Sequence, residues 1–343
     1  MTAIAKCRPL SRRNVLAGGS AALLACADAA QADDPITVRF GVLYPNLTTL
    51  IHQIAMRTGA YERNGIKLVE TRFKSGQTVE GVEQLWRGRL DFYMGGAPET
   101  PRLNSRLVEA GGKPPLAVIS GANPGHTSLV LANKLKPASI DEVFDKPLRI
   151  AVSSLSSVHL AFFRGYLKSE RKIDPASLKW RFMGVEAGNM VPALLTAQID
   201  GFLHSEPTTT LAEVNGAGYL FASASKGDFG KDPPPSTFIC ASRATLQQKP
   251  EMARRFLRAL FDANAAFAKA SKAEMLPIIG SWSGQEDKVL EAAYERLNPE
   301  ASMTPAQARR WWDFIGSTMI ERGELSPKLL PFEHIFELGY QPS

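Results

Sequence analysis

The hydrophobic pattern in the first third of the chain alternates short apolar runs with longer amphipathic segments. Runs of strand length and segments of helix length follow one another at 37–44, 47–58, 66–73, 78–86 and 90–96. Such alternation is typical of a mainly parallel sheet covered by helices on both faces. This part of the chain is therefore predicted to form an α/β lobe.

The same alternation returns in the middle of the chain, at 148–154, 156–168, 178–184, 189–197 and 199–205. The stretch "GRLDFYMGGAP" aligns with "AQIDGFLHSEP" at an offset of 109 residues, which matches Asp91 with Asp200 and Pro98 with Pro207. A second lobe of similar architecture is the simplest explanation. Asp200 is then predicted to lie at the start of its strand.

Two further strands connect the lobes. A strand followed by polar chain at 128–146 leads into the second lobe, and a strand at 236–242 leads back. The remaining pattern is helical, at 250–270, 286–297 and 309–322, with Thr304 as an N-cap and Pro305 as a first helical residue. Because these helices have no strands of their own, we expect them to pack on the first lobe. Two crossings form a hinge, and the cleft between the lobes is the expected ligand site.

The predicted fold class is therefore α/β, a two-lobed fold with two crossovers between the lobes. Lobe 1 is predicted to comprise residues 33–125 and 243–343, and lobe 2, with the crossover strands, residues 126–242.

Residues 1–32 have the order of basic, apolar and small residues that marks an export signal. Their apolar part is shorter than the roughly 20 residues that span a bilayer. Arg12 and Arg13 resemble a twin-arginine signal, and cleavage is expected after Ala32. The sequence "LLAC", which ends at Cys26, leaves a lipid-anchored protein as an alternative. In either case we expect the mature chain in the periplasm.

Charge and cysteine content narrow the function. Removal of residues 1–32 lowers the formal net charge from +6 to +3, because that segment holds four of the 40 basic residues and one of the 34 acidic ones. No basic run or basic-aromatic stripe remains, so nucleic acid is not expected as a partner. Cys240 is the one cysteine that follows the expected cleavage site at Ala32. After cleavage there it has no second cysteine to pair with, so an internal disulfide is not expected.

Candidate ligand contacts lie in the loops after strands, because open α/β sheets bind ligands at the carboxyl ends of their strands. Ser154 and Ser156 precede a predicted helix, whose free N–H groups and dipole suit an anionic oxygen of a sulfonate, carboxylate, phosphonate or nitrate. The alternative is that one of these serines only caps the helix. In the first lobe the corresponding contacts are predicted from side chains after the strands at 37–44 and 66–73, namely Tyr44, Asn46, Ser75 and Gln77.

A helix terminus contributes about 0.3–2 kcal/mol, whereas micromolar binding requires about 8 kcal/mol. Apolar side chains are therefore expected to enclose the ligand as well. The candidates are Tyr44, Met94, Phe202 and Trp180.

The polar cluster Asp200, His204, Ser205 and Glu206 does not fit a catalytic site. On a strand, the Cα atoms of Asp200 and His204 lie about 13 Å apart, too far for their side chains to pair. Zinc usually takes at least three protein ligands, and no second cluster of ligating residues accompanies His204 and Glu206. We therefore predict no catalytic residue, no metal and no cofactor, and assign His204 and Glu206 to ligand contact.

Three segments in this order resemble the ABC-transporter substrate-binding proteins of the nitrate, sulfonate, taurine and thiamine-precursor group: 57–70, 85–96 and 194–207. The resemblance extends over the mature chain in the order of its elements. It implies a periplasmic-binding-protein fold, also called a Venus flytrap, that delivers a small organic anion to an ABC permease in the inner membrane. It also implies that Tyr44, Ser75, Gly95, Ser154, Ser156 and the loop from His204 to Glu206 line the cleft. We expect a monomer.

Two departures from this group keep other ligands and functions open. His204 and Ser205 stand where an aromatic or apolar residue usually precedes Glu-Pro, and no arginine is evident to bind a sulfonate. A neutral, aromatic or amine-bearing ligand is therefore an alternative. Pyrimidine-forming enzymes of thiamine synthesis share the fold but depend on a cysteine-rich motif, whereas Cys240 stands alone in the mature chain. A precursor-binding protein or a ligand-sensing receptor domain is a further alternative.

Overall fold

The computed structural model describes residues 34–74, 77–329 and 334–342. The predicted export signal, including Cys26, lies outside the described residues. The strands are β1 (Ile36–Leu43), β2 (Ile66–Phe73), β3 (Phe92–Gly96), β4 (Leu116–Pro124), β5 (Ser128–Ala132), β6 (Arg149–Val152), β7 (Arg181–Gly184), β8 (Gly201–His204), β9 (Gly218–Ser223) and β10 (Pro235–Ser242).

The α-helices include those that the alternating pattern predicts and further ones, such as α4, α8 and α11, that it does not. They are α1 (Leu50–Arg57), α2 (Ala60–Arg63), α3 (Thr78–Trp86), α4 (Glu99–Glu109), α5 (Ile140–Phe144), α6 (Val158–Ser169), α7 (Ala187–Leu195), α8 (Thr208–Val214), α9 (Arg243–Gln248), α10 (Pro250–Lys269), α11 (Lys272–Ser283), α12 (Asp287–Ala293), α13 (Pro305–Trp311) and α14 (Ser317–Glu321). A π-helical turn, Trp312–Gly316, joins α13 to α14. None of the described helices is long and apolar enough to cross a membrane.

The strands form two five-stranded sheets of the same design. Their orders are β2-β1-β3-β10-β4 and β7-β6-β8-β5-β9. In each sheet the first three strands are parallel, and the fourth runs antiparallel to both of its neighbours. That antiparallel strand is supplied by the chain on its way between the sheets, which is why the sheets are mixed rather than mainly parallel. The predicted two-lobed α/β fold is confirmed, and the residue limits of the lobes stay a prediction.

The C-terminal helices pack on both lobes. Helices α10 and α11 pack on α1 of the first lobe, as predicted, whereas α12 packs on α8, and the π-helical turn and α14 pack on α6 of the second lobe. The prediction that all C-terminal helices pack on the first lobe therefore does not hold. The reason is an apolar surface shared by both lobes: Trp311 contacts Phe238 of β10, and Phe314 contacts Phe162 of α6.

Local sequence signals set most element boundaries. The predicted helix at 78–86 has the same bounds as α3. Thr304 caps α13, with its hydroxyl accepting the N–H of Gln307, and Pro305 is the first helical residue as predicted. The segment predicted as polar chain contains α5, because Ser139 accepts the N–H of Glu142 and begins a helix.

Candidate functional site

Asp200 is part of a structural ion pair at the start of β8. Its two carboxylate oxygens accept hydrogen bonds from Arg149 Nε and Nη2 at 2.9 and 3.0 Å, and the backbone N–H of Arg149 donates at 3.1 Å. These hydrogen bonds lower the pKa of Asp200 to about 2. Asp91 makes the same three bonds to Arg39 in the first lobe. The repeated aspartate therefore anchors a strand in each lobe, at the opposite end of β8 from His204, and this confirms its predicted place.

Replacing either aspartate by asparagine, Asp91→Asn or Asp200→Asn, should lower the free energy of unfolding by about 1–2 kcal/mol. Asparagine keeps the shape but loses the charge that strengthens the arginine hydrogen bonds, and the partial exposure of both arginines limits the loss. Urea unfolding of the two variants measures the effect. Losses of similar size are expected because both arginine pairs make the same three bonds, although Asp200 also pairs with Lys134 at 3.2 Å. A loss in one lobe alone would contradict the shared anchoring role.

The serine loop before α6 carries two exposed hydroxyls. Ser157 caps α6, its Oγ accepting the N–H of Leu160 at 3.3 Å, so the alternative that Ser154 or Ser156 caps the helix is wrong. The Oγ atoms of Ser154 and Ser156 lie 3.2 Å apart. Arg102 of α4 reaches this loop from the first lobe and donates from Nη2 to the carbonyl oxygen of Ser156 at 3.0 Å. The loop thus lies where the two lobes meet.

Tyr44 and Asn46 follow β1 in the first lobe. The ring of Tyr44 lies 4.8 Å from that of Trp282 in an edge-to-face contact. Asn46 Oδ1 accepts the N–H of Thr48 at 2.8 Å, and its carbonyl oxygen accepts the indole N–H of Trp282 at 2.9 Å. The ring of Tyr44 is therefore paired with that of Trp282, which no local pattern indicates because Trp282 lies on the distant helix α11.

Of the other predicted contacts of the first lobe, Gln77 and Gly95 have local structural roles. Ser75 lies outside the described residues. Gln77 is exposed, and its Oε1 accepts the N–H of Lys74 at 2.7 Å, which closes the loop before α3. A Cβ atom on Gly95 would lie 2.3 Å from the hydroxyl oxygen of Tyr93, so the packing of that ring requires glycine. Ligand contact by these three residues stays a prediction.

His204 ends β8 beside a second buried imidazole. The rings of His204 and His159 lie 5.0 Å apart, and His159 Nδ1 lies 3.1 Å from Thr127 Oγ1. Burial lowers the pKa of both histidines. The two imidazoles are therefore neutral at pH 7, and His204 is half-buried at the carboxyl end of its strand.

Glu206 is engaged in an ion pair. Its Oε2 accepts the N–H of Thr210 at 3.1 Å, and its Oε1 lies 3.4 Å from Arg296 Nη1. Arg296 also pairs with Glu213 of α8. Arg296 follows α12, so this network joins the C-terminal helices to the second lobe. A ligand amine would have to compete with Arg296 for Glu206.

Two open cavities lie at the serine loop and beside the chain that crosses between the lobes. One, of about 200 Å³, is lined by Ser156, Ser157, Arg164 and Arg322, among others, and a second, of about 220 Å³, by residues that include His126, Thr127 and Pro235. Both volumes include open solvent, so neither cavity is an enclosed small-molecule pocket.

Three of the four side chains predicted to enclose the ligand lie instead in the core. Met94 and Phe202 are fully buried, and Trp180 stacks on Phe163 at 5.1 Å and donates its indole N–H to the carbonyl oxygen of Val143. Only their apolar character was visible in the sequence, and a core satisfies it as well as a cleft. Of the four, Tyr44 remains half-buried at the carboxyl end of a strand.

The described residues offer no metal site. No group of three or more His, Cys, Asp or Glu side chains among them could hold a metal ion. Cys240 is buried, accepts a hydrogen bond from Thr100 Oγ1 at 3.1 Å, and burial raises its thiol pKa to about 12. This thiol is therefore protonated and inert at pH 7.

The fold is similar to solved structures of bacterial binding proteins. The periplasmic nitrate-binding protein NrtA from Synechocystis PCC 6803 matches with a TM-score of 0.66 and 16% identity, over 90% of this chain and 87% of that one. The periplasmic aliphatic sulphonate binding protein SsuA from Escherichia coli matches with a TM-score of 0.69 and 14% identity, over 89% and 99%. A putative sulfonate-binding protein SsuA from Methylobacillus flagellatus KT matches with a TM-score of 0.67 and 14% identity, over 90% and 93%. At these identities the likeness is one of fold.

Sequence comparison assigns the chain more directly. No curated protein matches it. Its residues 31–279 match the NMT1-like family, and this stretch contains both sheets and the hinge between them. Because the match extends over more than half of the chain, this protein belongs to the NMT1-like family.

Proposed function

We propose that this protein is an extracytoplasmic solute-binding protein that delivers a small organic anion, of the sulfonate or carboxylate type, to an ABC permease. One observation carries the proposal. Two sheets of the same design are joined by two crossover strands, and the exposed serine loop of the second lobe meets Arg102 of the first. This is the arrangement in which a ligand can bridge two lobes and stabilise their closure.

The serine loop suits an anion because its hydroxyls and the free N–H groups at the start of α6 are all donors. In the proposed mechanism the anion binds these donors, the first lobe closes over it, and the permease recognises the closed form.

Partner and location follow from the same proposal. A binding protein of this type acts in the periplasm beside a permease of the inner membrane, as a monomer, after removal of the predicted signal at 1–32. The similar structures of NrtA and SsuA come from proteins described as periplasmic, which supports this location.

The proposal includes no chemical step. A pyrimidine-forming activity would need reactive cysteines, whereas the Cys240 thiol is buried and its pKa is raised. A receptor that senses the ligand without transport would bind in the same way. Ligand-dependent ATP hydrolysis by the permease, reconstituted with this protein, distinguishes delivery from sensing.

The mature protein is expected to gain thermal stability with one or more compounds from a panel of alkanesulfonates, carboxylates, nitrate, pyrimidines and aromatic acids. Ser156→Ala combined with His204→Ala should raise the Kd of the compound that binds by about 10-fold or more, because hydrogen bonds to a charged group are lost. Titration calorimetry measures this Kd, and the melting temperature without ligand shows whether the fold is intact.

A matched control is Ser177→Ala, which removes the hydroxyl of an exposed serine in the turn before β7. It should leave the Kd unchanged. An unchanged Kd in the double variant would show that the cleft is wrongly assigned, and turnover of any compound that binds would contradict the binding role.

A further inference from the structure

Arg72 lies at the carboxyl end of β2, beside the rings of Tyr44 and Trp282. It is in register with Val42 of β1, two residues before Tyr44, and the backbone N–H of Tyr44 donates to the carbonyl oxygen of Phe73 at 2.7 Å. Arg72 therefore shares the sheet edge at which ligands of open α/β sheets bind. Its side chain was not among the residues expected from the sequence.

The guanidinium of Arg72 is held in one plane by three side chains. Its Nε donates to Glu70 Oε1 at 2.5 Å, and its Cζ lies 4.3 Å from the ring centre of Tyr44 and 5.3 Å from that of Trp282. Stacking on aromatic rings and pairing with a carboxylate both restrict the rotation of an arginine. The planar fork is thus oriented before any ligand arrives.

Glu70 holds Arg72 from the protein interior. The side chain of Glu70 is 15% exposed and that of Arg72 is 47% exposed, so the carboxylate lies inside and the guanidinium faces solvent. Burial acts to raise the pKa of Glu70, but contacts with His52 and Arg72 outweigh it and lower the pKa to about 2. Glu70 therefore remains charged at every pH at which the protein would work, and the ion pair persists.

Two other arginines that join parts of the two lobes are each held by two carboxylates. Arg102 is held between Glu99 and Glu324, and Arg296 between Glu206 and Glu213. Their side chains are 14% and 24% exposed. Arg72 has a single carboxylate partner among its described contacts, Glu70, which accepts from Nε at 2.5 Å and from Nη2 at 3.5 Å, and its side chain is 47% exposed.

We propose that Arg72, oriented by Glu70, Tyr44 and Trp282, binds the anionic group of the ligand from the first lobe. This inference rests on the proposed solute-binding function and adds the cationic residue that the sequence did not reveal. Two N–H groups of a guanidinium match two oxygens of a carboxylate or a sulfonate. Because Glu70 balances the charge of Arg72, recognition depends on these short-range hydrogen bonds rather than on long-range attraction.

The test compares Arg72→Gln, Arg72→Lys and the control Arg87→Gln in the mature protein. Arg87 is an exposed arginine of the same lobe, paired with Glu83, so its loss changes the net charge equally. The probes are ethanesulfonate, acetate, nitrate and neutral uracil, followed by tryptophan fluorescence and calorimetry. Trp282 contacts both Tyr44 and Arg72 and should report binding.

Arg72→Gln is expected to raise the Kd of the anion that binds the wild type by about 10- to 100-fold, and Arg72→Lys by less, because lysine keeps the charge but not the fork. Arg87→Gln should leave the Kd unchanged. If Arg72→Gln fails to fold, Arg72→Lys takes its place, and its Kd is compared with that of the wild type and should be higher.

Three outcomes would overturn the inference. An unchanged Kd in both Arg72 variants would reject this role and leave the solute-binding function standing. So would binding of uracil without binding of any anion. A wild-type protein that responds to none of the four probes would count against this inference and the proposed function together.

Discussion

Replacing Gly165 by alanine is expected to destabilise the protein by about 1–3 kcal/mol or more, although alanine is the better helix former. Gly165 lies within α6, and a Cβ atom there would come within 2.1 Å of the carbonyl oxygen of Phe314 in the π-helical turn. The atom that it meets belongs to the backbone, so a side-chain rotation cannot relieve the clash. The C-terminal segment would have to move away from α6. Equilibrium unfolding in urea measures the loss.

Gly188 provides the matched control, because it lies in α7 of the same lobe and no atom stands within 4 Å of its Cβ position. Gly188→Ala should be neutral or stabilise by up to about 1 kcal/mol through helix propensity and the entropy of the unfolded chain. Helix propensity alone predicts the same sign for both variants. Stabilisation by Gly165→Ala would therefore contradict the close packing of α6 against the π-helical turn.

Acidification from pH 7 to pH 4 is expected to remove about 3 kcal/mol of stability through His126 alone. Burial lowers the pKa of His126 to about 4, whereas in the unfolded chain it titrates near its ordinary value of about 6.5. Because the folded pKa is the lower one, the unfolded chain takes up the proton first. The contribution is complete above about pH 6.5 and is lost as the pH falls toward 4, by about 1.4 kcal/mol per pH unit.

The pKa values of three more histidines shift in the same direction, and the carboxylates lose their contributions at lower pH. Burial lowers the pKa of His52, His159 and His204. Glu70 and Asp200, with pKa values of about 2, lose their contributions as the pH falls from about 4.5 toward 2. The loss between about pH 6.5 and pH 4.5 should therefore reflect histidines.

The measurement is the free energy of unfolding as a function of pH, for the wild type and for His126→Gln. Glutamine keeps a donor for the carbonyl oxygen of Asn298, which lies 3.4 Å from His126 Nε2. The variant should show a shallower decline with falling pH. A flat profile in the wild type, or an equal slope in His126→Gln, would show that His126 does not carry the effect.

Sequence reasoning succeeded where short-range signals act. Helix α3 has its predicted bounds, Thr304 and Pro305 begin α13 as predicted, and Asp200 lies at the start of its strand. Capping and strand periodicity depend on residues a few positions apart, so one chain contains all the information they need. The internal offset between Asp91 and Asp200 added the equivalence of the two lobes.

Sequence reasoning was insufficient for residues whose apolar or polar character fits more than one location in the fold, such as the core and the cleft. Trp180 was assigned to the ligand cleft, but it stacks on Phe163 in the core. Ligand contact by Glu206 stays a prediction, but its ion pair with Arg296 was not visible in the sequence. Arg72 ends a correctly predicted strand, yet its role depends on Trp282 of a distant helix, which no local pattern indicates.

By itself the sequence determined the alternation of strands and helices, the duplication of the lobe and the crossing of the chain between them. These features follow from hydrophobic periodicity and capping, which act along the chain. The tertiary structure alone decided that the last helices pack on α6, that Ser157 rather than its neighbours caps that helix, and that Arg72 is stacked beside Tyr44. The packing on α6 and the contact of Arg72 with Tyr44 join residues far apart in the chain. The cap of α6 is local, but its three candidate serines lie within four residues. In each case several folded geometries would satisfy the same local pattern equally well.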